Sequence, residues 1–138
     1  KEQNLQYEAE NAIDRFTTRK NYNGYIELQT EPKLPLIQAP DETFMNLIYA
    51  VLGTHSVASR NNSRSIVKIY NRKPADKVMI SISTKTENNF FSNLIISLNS
   101  NDIDQLAEKL GLTINHNFKT DLNKIETIIA VNIPEKVK

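Results

Sequence analysis

Apolar positions along the chain switch between a period near 3.6 and a period of 2. The switches divide it into alternating helices and strands. Leu5, Ala9, Ala12, Ile13 and Phe16 recur at i, i+4, i+7, i+8 and i+11, which predicts a helix over residues 2–19. Asn21, Asn23 and Gly24 break it. Ile26 and Leu28 share one side of a short strand, Tyr25–Gln29. Pro32, Pro35 and Pro40 predict an extended loop, because proline lacks an N–H and turns its predecessor away from helix. Phe44, Leu47, Ile48, Val51, Leu52 and His55 then follow the i, i+3, i+4, i+7, i+8, i+11 pattern. They predict a helix over Asp41–Ser59, with Asp41 as its N-cap and the polar run Arg60–Arg64 ending it.

Ile66–Tyr70 reads as a strand. In the next one, Val78, Ile80, Ile82 and Thr84 alternate with Met79, Ser81 and Ser83. Asn71–Asp76, with Pro74, joins the two as a hairpin. A polar stretch, Lys85–Asn89, follows. Phe90–Leu98 satisfies both periods and is read as a strand over 94–98. A helix over Asn101–Leu110 is capped by Ser100 or Asn101, carries Ile103, Leu106, Ala107 and Leu110 on its apolar face, and stops at a left-handed Gly111. Leu112, Ile114, His116 and Phe118 alternate, as do Ile125, Thr127, Ile129, Val131 and Ile133, with a turn at Asp121–Lys124. Pro134 ends the fold before a frayed tail. The order α-β-α-β-β-(β)-α-β-β predicts an α+β fold: a two-layer α/β sandwich with one mixed, mostly antiparallel sheet and about three helices on one face. Residues 1–138 form one domain, without repeat or linker.

Composition narrows the chemistry. At 138 residues the chain is long enough to bury roughly two thirds of its unfolded surface. The absence of cysteine excludes disulfides, thiolate metal sites and cysteine nucleophiles. Three scattered glycines exclude a glycine-rich phosphate loop. No apolar run approaches the ~20 residues of a membrane span and no signal peptide is visible, so a cytoplasmic place without membrane contact is expected. A chain opening on Lys1 is expected to be a fragment of a longer protein.

The net charge of +1 does not predict nucleic-acid binding. The charges are uneven, however. Arg60, Arg64, Lys68, Arg72, Lys73, Lys77 and Lys85 face one acid, Asp76, within residues 60–85. This strip reads either as a solvated sheet edge or as a docking surface for an acidic partner or a phosphate. Only Tyr70 interleaves with it, which disfavours nucleic acid. Neither histidine makes a metal spacing. His55 reads as a buried, hydrogen-bonded side chain with no acid at i±3 or i±4 to orient it, and His116 as a sheet-face histidine. Asp41/Glu42 and Asp102/Asp104 sit at helix starts, where capping accounts for them.

The element order resembles the ATP-binding catalytic domain of bacterial sensor histidine kinases, the GHKL or Bergerat fold, over nearly the whole chain. DETFMNLIYAVLGTHSVAS, Asp41–Ser59, looks like the family's N-box helix. KVMISIST, Lys77–Thr84, is similar to the strand leading into its aspartate–glycine box. IDQLAEKLGLTI, Ile103–Ile114, resembles its late helix, glycine stop and next strand, and IETIIAVNIP, Ile125–Pro134, its closing strand. The departures fall on the nucleotide contacts. Ala50 and Thr54 overlie the two N-box asparagines, the second of which would hold magnesium. His55 replaces a small residue and Val57 the usual lysine. Ser83 and Thr84 stand where the family needs an aspartate to accept the adenine amino hydrogen, and Ser92–Ser100, in the place of the lid, has no glycine.

The resemblance therefore implies a degenerate histidine-kinase-like ATPase domain of a two-component or phosphorelay protein. It would bind no cofactor and act by regulation or by docking a protein partner, a response regulator or another domain of the same chain. The isolated domain is not expected to be an enzyme, although its parent could be a sensor kinase. Two alternatives stand beside this: a divergent but active domain binding ATP and magnesium through Thr54, Ser83 and Thr84, and an unrelated α+β sensory or interaction module. A five-stranded antiparallel meander would favour the last.

Overall fold

In the computed structural model, which describes residues 2–19, 22–59, 64–72, 76–86, 101–119 and 123–132, the elements run in order: β1 (Glu2–Gln3), α1 (Leu5–Thr17), β2 (Tyr25–Thr30), β3 (Ile37–Gln38), α2 (Thr43–Ala58), β4 (Arg64–Arg72), β5 (Lys77–Lys85), α3 (Asn101–Lys109), β6 (Thr113–Lys119) and β7 (Lys124–Asn132). Five strands form one sheet in the order β2-β4-β5-β7-β6. β2 and β4 pair in parallel, with α2 as their crossover, and every other pair in this sheet is antiparallel. A meander is thereby excluded, and the mixed sheet expected from the sequence is observed.

The apolar periods explain the packing. Leu5, Ala9, Ala12 and Phe16 of α1, Phe44, Leu47, Ile48, Val51 and Leu52 of α2, and Ile103 of α3 share one buried cluster with Val67, Ile69, Val78, Ile80, Ile82, Ile129 and Val131 from one face of the sheet. Burying side chains of this size stabilises the fold by about 1.5–3 kcal/mol each before entropy is counted. All three helices described lie on that face.

Three local expectations are corrected. Glu2 and Gln3 are not helical: Asn4 Oδ1 accepts the Tyr7 N–H at 3.1 Å and starts α1 at Leu5. The two preceding residues pair with Ile37–Gln38, and the buried Gln3 amide donates to the carbonyls of Ala39 and Pro40. Second, Asp41 is not the N-cap of α2. Thr43 donates from both its N–H and its hydroxyl to the Pro40 carbonyl, at 3.2 and 2.6 Å. That tight turn puts Glu42 at the cap with φ +62 and no side-chain capping bond. Third, β4 and β5 are interior strands, so the basic strip does not guard a sheet edge; β2 and β6 are the edges. Gly111 adopts φ +70, as its place after α3 predicts. Arg60, Lys73, the ambiguous run Phe90–Leu98, the lid position Ser92–Ser100 and the tail after Asn132 lie outside the described residues.

Candidate functional site

On the helix-facing side of the sheet, polar side chains gather at one end. Ser65 pairs with Thr84 across β4 and β5, and His116 pairs with Thr127 across β6 and β7. Between β5 and β7 the register sets Ile125 opposite Thr84 and Ile82 opposite Thr127, so the two threonines stand on a diagonal. The apolar stripe of α2 brings His55, in its last turn, down onto that diagonal. His55 Nδ1 lies 2.8 Å from Thr84 Oγ1 and Nε2 lies 2.7 Å from Thr127 Oγ1.

The contacts continue at both ends. Thr84 Oγ1 is 2.7 Å from Ser65 Oγ. Thr127 Oγ1 is 2.9 Å from His116 Nδ1, and His116 Nε2 is 2.9 Å from Asp104 Oδ1 on α3. Six side chains from six elements thus form one hydrogen-bonded chain. His55 is 1% exposed, Thr84 1% and Thr127 0%, whereas the Asp104 side chain is 48% exposed. Burial pushes the His55 pKa down to about 3, and the nearby His116 pushes in the same direction. The ring is therefore neutral at physiological pH, with one N–H donor and one acceptor nitrogen to match the two hydroxyls.

The buried, bonded His55 expected from the sequence is observed. Its orienting partners are threonines on the sheet, remote from His55 in sequence, rather than an acid on α2. The Asp104–His116–Thr127 segment has the carboxylate–imidazole–hydroxyl order of a nucleophilic triad. Thr127 Oγ1, however, is enclosed and also bonded to His55, so no substrate carbonyl can approach it.

The four positions overlying nucleotide contacts do not all share one face of the sheet. Thr54 is buried, and its hydroxyl donates to the Ala50 carbonyl one turn back at 3.2 Å, while Ala50 itself is half-buried. Thr84 is held inside by His55 and Ser65. Ser83 lies on the opposite face of β5, where its hydroxyl donates to Glu126 Oε2 at 3.4 Å.

That opposite face carries the basic strip. Register places Arg64, Lys68 and Arg72 of β4, Lys77 and Lys85 of β5, and Lys124 of β7 on the side away from the helices. Among the described residues its acids are Glu27 and Glu126. Arg64 stacks over the Tyr25 ring at 5.7 Å. A groove of about 490 Å³ crosses the face, lined by Gln29, Lys68, Tyr70, Ser81 and Glu126 among others. The sequence grouped these cations by proximity along the chain; the sheet adds Lys124, which lies far from them in sequence.

No protein-family model and no curated protein sequence matches the chain. Solved structures do. The nucleotide-free catalytic domain of histidine kinase ThkA superposes with a TM-score of 0.72 at 14% identity, over 96% of this chain and 94% of that one. The mycobacterial sensor histidine kinase MprB gives 0.67 at 13% identity, over 95% of each chain. ThkA in complex with the response regulator TrrA gives 0.70 at 15% identity, covering 95% of this chain and 41% of that one. No helix among the described residues is long and apolar enough to cross a membrane. Sheet order, parallel crossover through α2 and near-complete superposition agree: this chain has the fold of the catalytic, ATPase-type domain of histidine kinases.

Proposed function

We propose that this domain serves two-component or phosphorelay signalling without binding ATP, and that it works by docking a protein partner through the outer face of its sheet. One observation carries the first half. Of Ser83 and Thr84, which stand where the resemblance expects an adenine-accepting aspartate, Thr84 has its hydroxyl buried between His55 and Ser65, and Ser83 faces the other side of the sheet with its hydroxyl on Glu126. The magnesium position tells the same story, since the Thr54 hydroxyl is satisfied by its own helix. Magnesium needs open oxygen ligands and an adenine amino group needs a free acceptor, whereas the Thr54 and Thr84 hydroxyls already have partners, so the residues present do not fit the nucleotide. His55 takes the place of a small family residue and spans Thr84 and Thr127 inside the closed layer.

The second half rests on charge. Arg64, Lys68, Arg72, Lys77, Lys85 and Lys124 share a face with half-buried Ile66, Tyr70 and Ile128. Cations around a partly apolar floor suit an acidic protein surface: the charges steer the encounter and the apolar patch supplies contact area. The partner is a response regulator or another domain of the same signalling protein, consistent with the ThkA structure that holds a response regulator.

The test is biolayer interferometry of the domain against response regulators from the same organism. At least one binds, with affinity falling as salt rises. The double variant Lys68→Glu, Arg72→Glu weakens it about tenfold, as two exposed charge contacts of ~0.5–1 kcal/mol each require. Binding by none of them contradicts a response-regulator partner, and binding indifferent to the reversal contradicts the docking face.

A further inference from the structure

The chain Ser65–Thr84–His55–Thr127–His116–Asp104 has a direction, and its exposed end sets it. The Asp104 carboxylate only accepts, so His116 Nε2 carries a hydrogen. In neutral His116 the other nitrogen, Nδ1, is then an acceptor, and the Thr127 hydroxyl must donate to it. Thr127 Oγ1 next accepts from His55 Nε2–H. That leaves His55 Nδ1 to accept from Thr84, whose oxygen accepts from the Ser65 hydroxyl. Every link points toward Asp104, and no other assignment satisfies all of these enclosed groups.

A proton added to His116 breaks that order. Both ring nitrogens of the imidazolium donate, so Nδ1–H now points at Thr127 Oγ1. Thr127 has given its own hydrogen to that Nδ1 and holds the one received from His55 Nε2, which becomes an acceptor. His55 then carries its hydrogen on Nδ1 and donates to Thr84, and Thr84 donates to Ser65. The proton balance is simple. One proton arrives from solvent at Ser65 Oγ, and one hydrogen moves across each of the four links between Ser65 and His116. One new N–H appears on His116, and His55 stays neutral throughout. Ser65 lines a cleft of about 260 Å³ with Thr84, Arg64, Lys85 and Lys124.

We propose that proton uptake at His116 reverses this whole chain, switching the buried His55 from its Nε2–H to its Nδ1–H tautomer and turning the Ser65 hydroxyl from a donor to Thr84 into an acceptor from it, with its newly arrived hydrogen facing the cleft. The device couples the α3 side of the sheet to α2 and to the far cleft without moving the backbone. It is independent of the docking and nucleotide assignments above. Among the described residues, the titratable groups facing His116 are Asp104 from α3 and, through Thr127, His55 from α2. β7 presents the apolar Ile125 and Ile129 on either side of Thr127, while Lys124 and Glu126 lie on its other face. Ile114 is the neighbour on β6, and Glu108, one turn along α3 from Asp104, is exposed. Burial holds His55 uncharged across the range in which an ordinary histidine titrates, so its two tautomers are the states available to it there.

The test is a titration of the full chain, labelled with nitrogen-15, following the imidazole nitrogens of both histidines between about pH 8 and pH 5. The expected result is that His55 Nε2 and Nδ1 exchange their pyrrole-type and pyridine-type shifts with the same midpoint as the charging of His116, while His55 never acquires the imidazolium pattern. Asp104→Ala, a change at a half-exposed side chain, removes the acceptor of the His116 Nε2–H without supplying a donor in its place. The His55 switch should still share its midpoint with His116 in that variant. A His55 ring that holds one tautomer while His116 charges overturns the proposal. So does a His55 switch whose midpoint parts from that of His116 in Asp104→Ala, or a His55 that becomes charged together with His116.

Discussion

His55→Ala lowers folding stability by about 3–5 kcal/mol, a large share of the ~5–15 kcal/mol available to a domain of this size. Two effects add. The ring is 1% exposed in the core between α2 and the sheet, so truncation leaves a cavity that close packing cannot refill. Two hydrogen bonds at 2.8 and 2.7 Å also disappear. Thr84 and Thr127 each keep one partner, Ser65 and His116, which holds the loss below that of two orphaned hydroxyls. Urea unfolding measures it, with Val57→Ala as the control two residues along the same helix. Val57 is 54% exposed, and its truncation is expected to change stability by no more than about 0.5 kcal/mol. Equal effects of the two changes would show that His55 is not a core residue.

Acid weakens the fold through the same side chain. His55 takes up a proton near 6.5 in the unfolded chain but only at about 3 in the folded one, chiefly because burial disfavours the charged ring. Between those values the unfolded state binds one more proton. Stability from this group is therefore complete above the unfolded value, and it declines by about 1.4 kcal/mol per unit as pH falls toward the folded value. The loss accumulates over the window from about pH 6 to pH 3. The check is the pH dependence of the urea midpoint in the natural protein and in His55→Gln, which cannot titrate. The variant is expected to show the shallower slope between about pH 6 and pH 4, because subtracting the two curves removes the carboxylates they share. Parallel curves would mean that the folded protein accepts the His55 proton without penalty.

The parts of this molecule legible in its sequence are those governed by local period. The apolar stripe from Phe44 to His55 places α2 and the burial of His55 correctly, because a helix puts i, i+4 and i+7 on one face whatever lies opposite. Gly111 marks the end of α3 for a similarly local reason. Alternation in Val78–Thr84 assigns Thr84 to the buried face and Ser83 to the other. Pairing is not local, and there the reading stops. Nothing along the chain sets Thr127 opposite His116, or Ser65 opposite Thr84, so the partners of His55 are invisible until the register is known. Strand order is equally hidden, which is why the cations of β4 and β5 read as an edge and prove to lie on an open face. The two-residue strands β1 and β3 have no period at all, and their pairing depends on the Pro40 turn and the buried Gln3 amide.

The hydroxyls of Thr54 and Thr84 are engaged by Ala50, His55 and Ser65, and the proposal that this domain binds no ATP stands on that engagement. Isothermal titration of the domain with ATP and magnesium addresses it most directly. The expected heats are indistinguishable from dilution, and the same holds for ATP without the metal. Saturable binding with a micromolar dissociation constant, about 8 kcal/mol of affinity, would contradict it, and a loss of that binding in Thr54→Ala and Thr84→Ala would place the nucleotide among those hydroxyls.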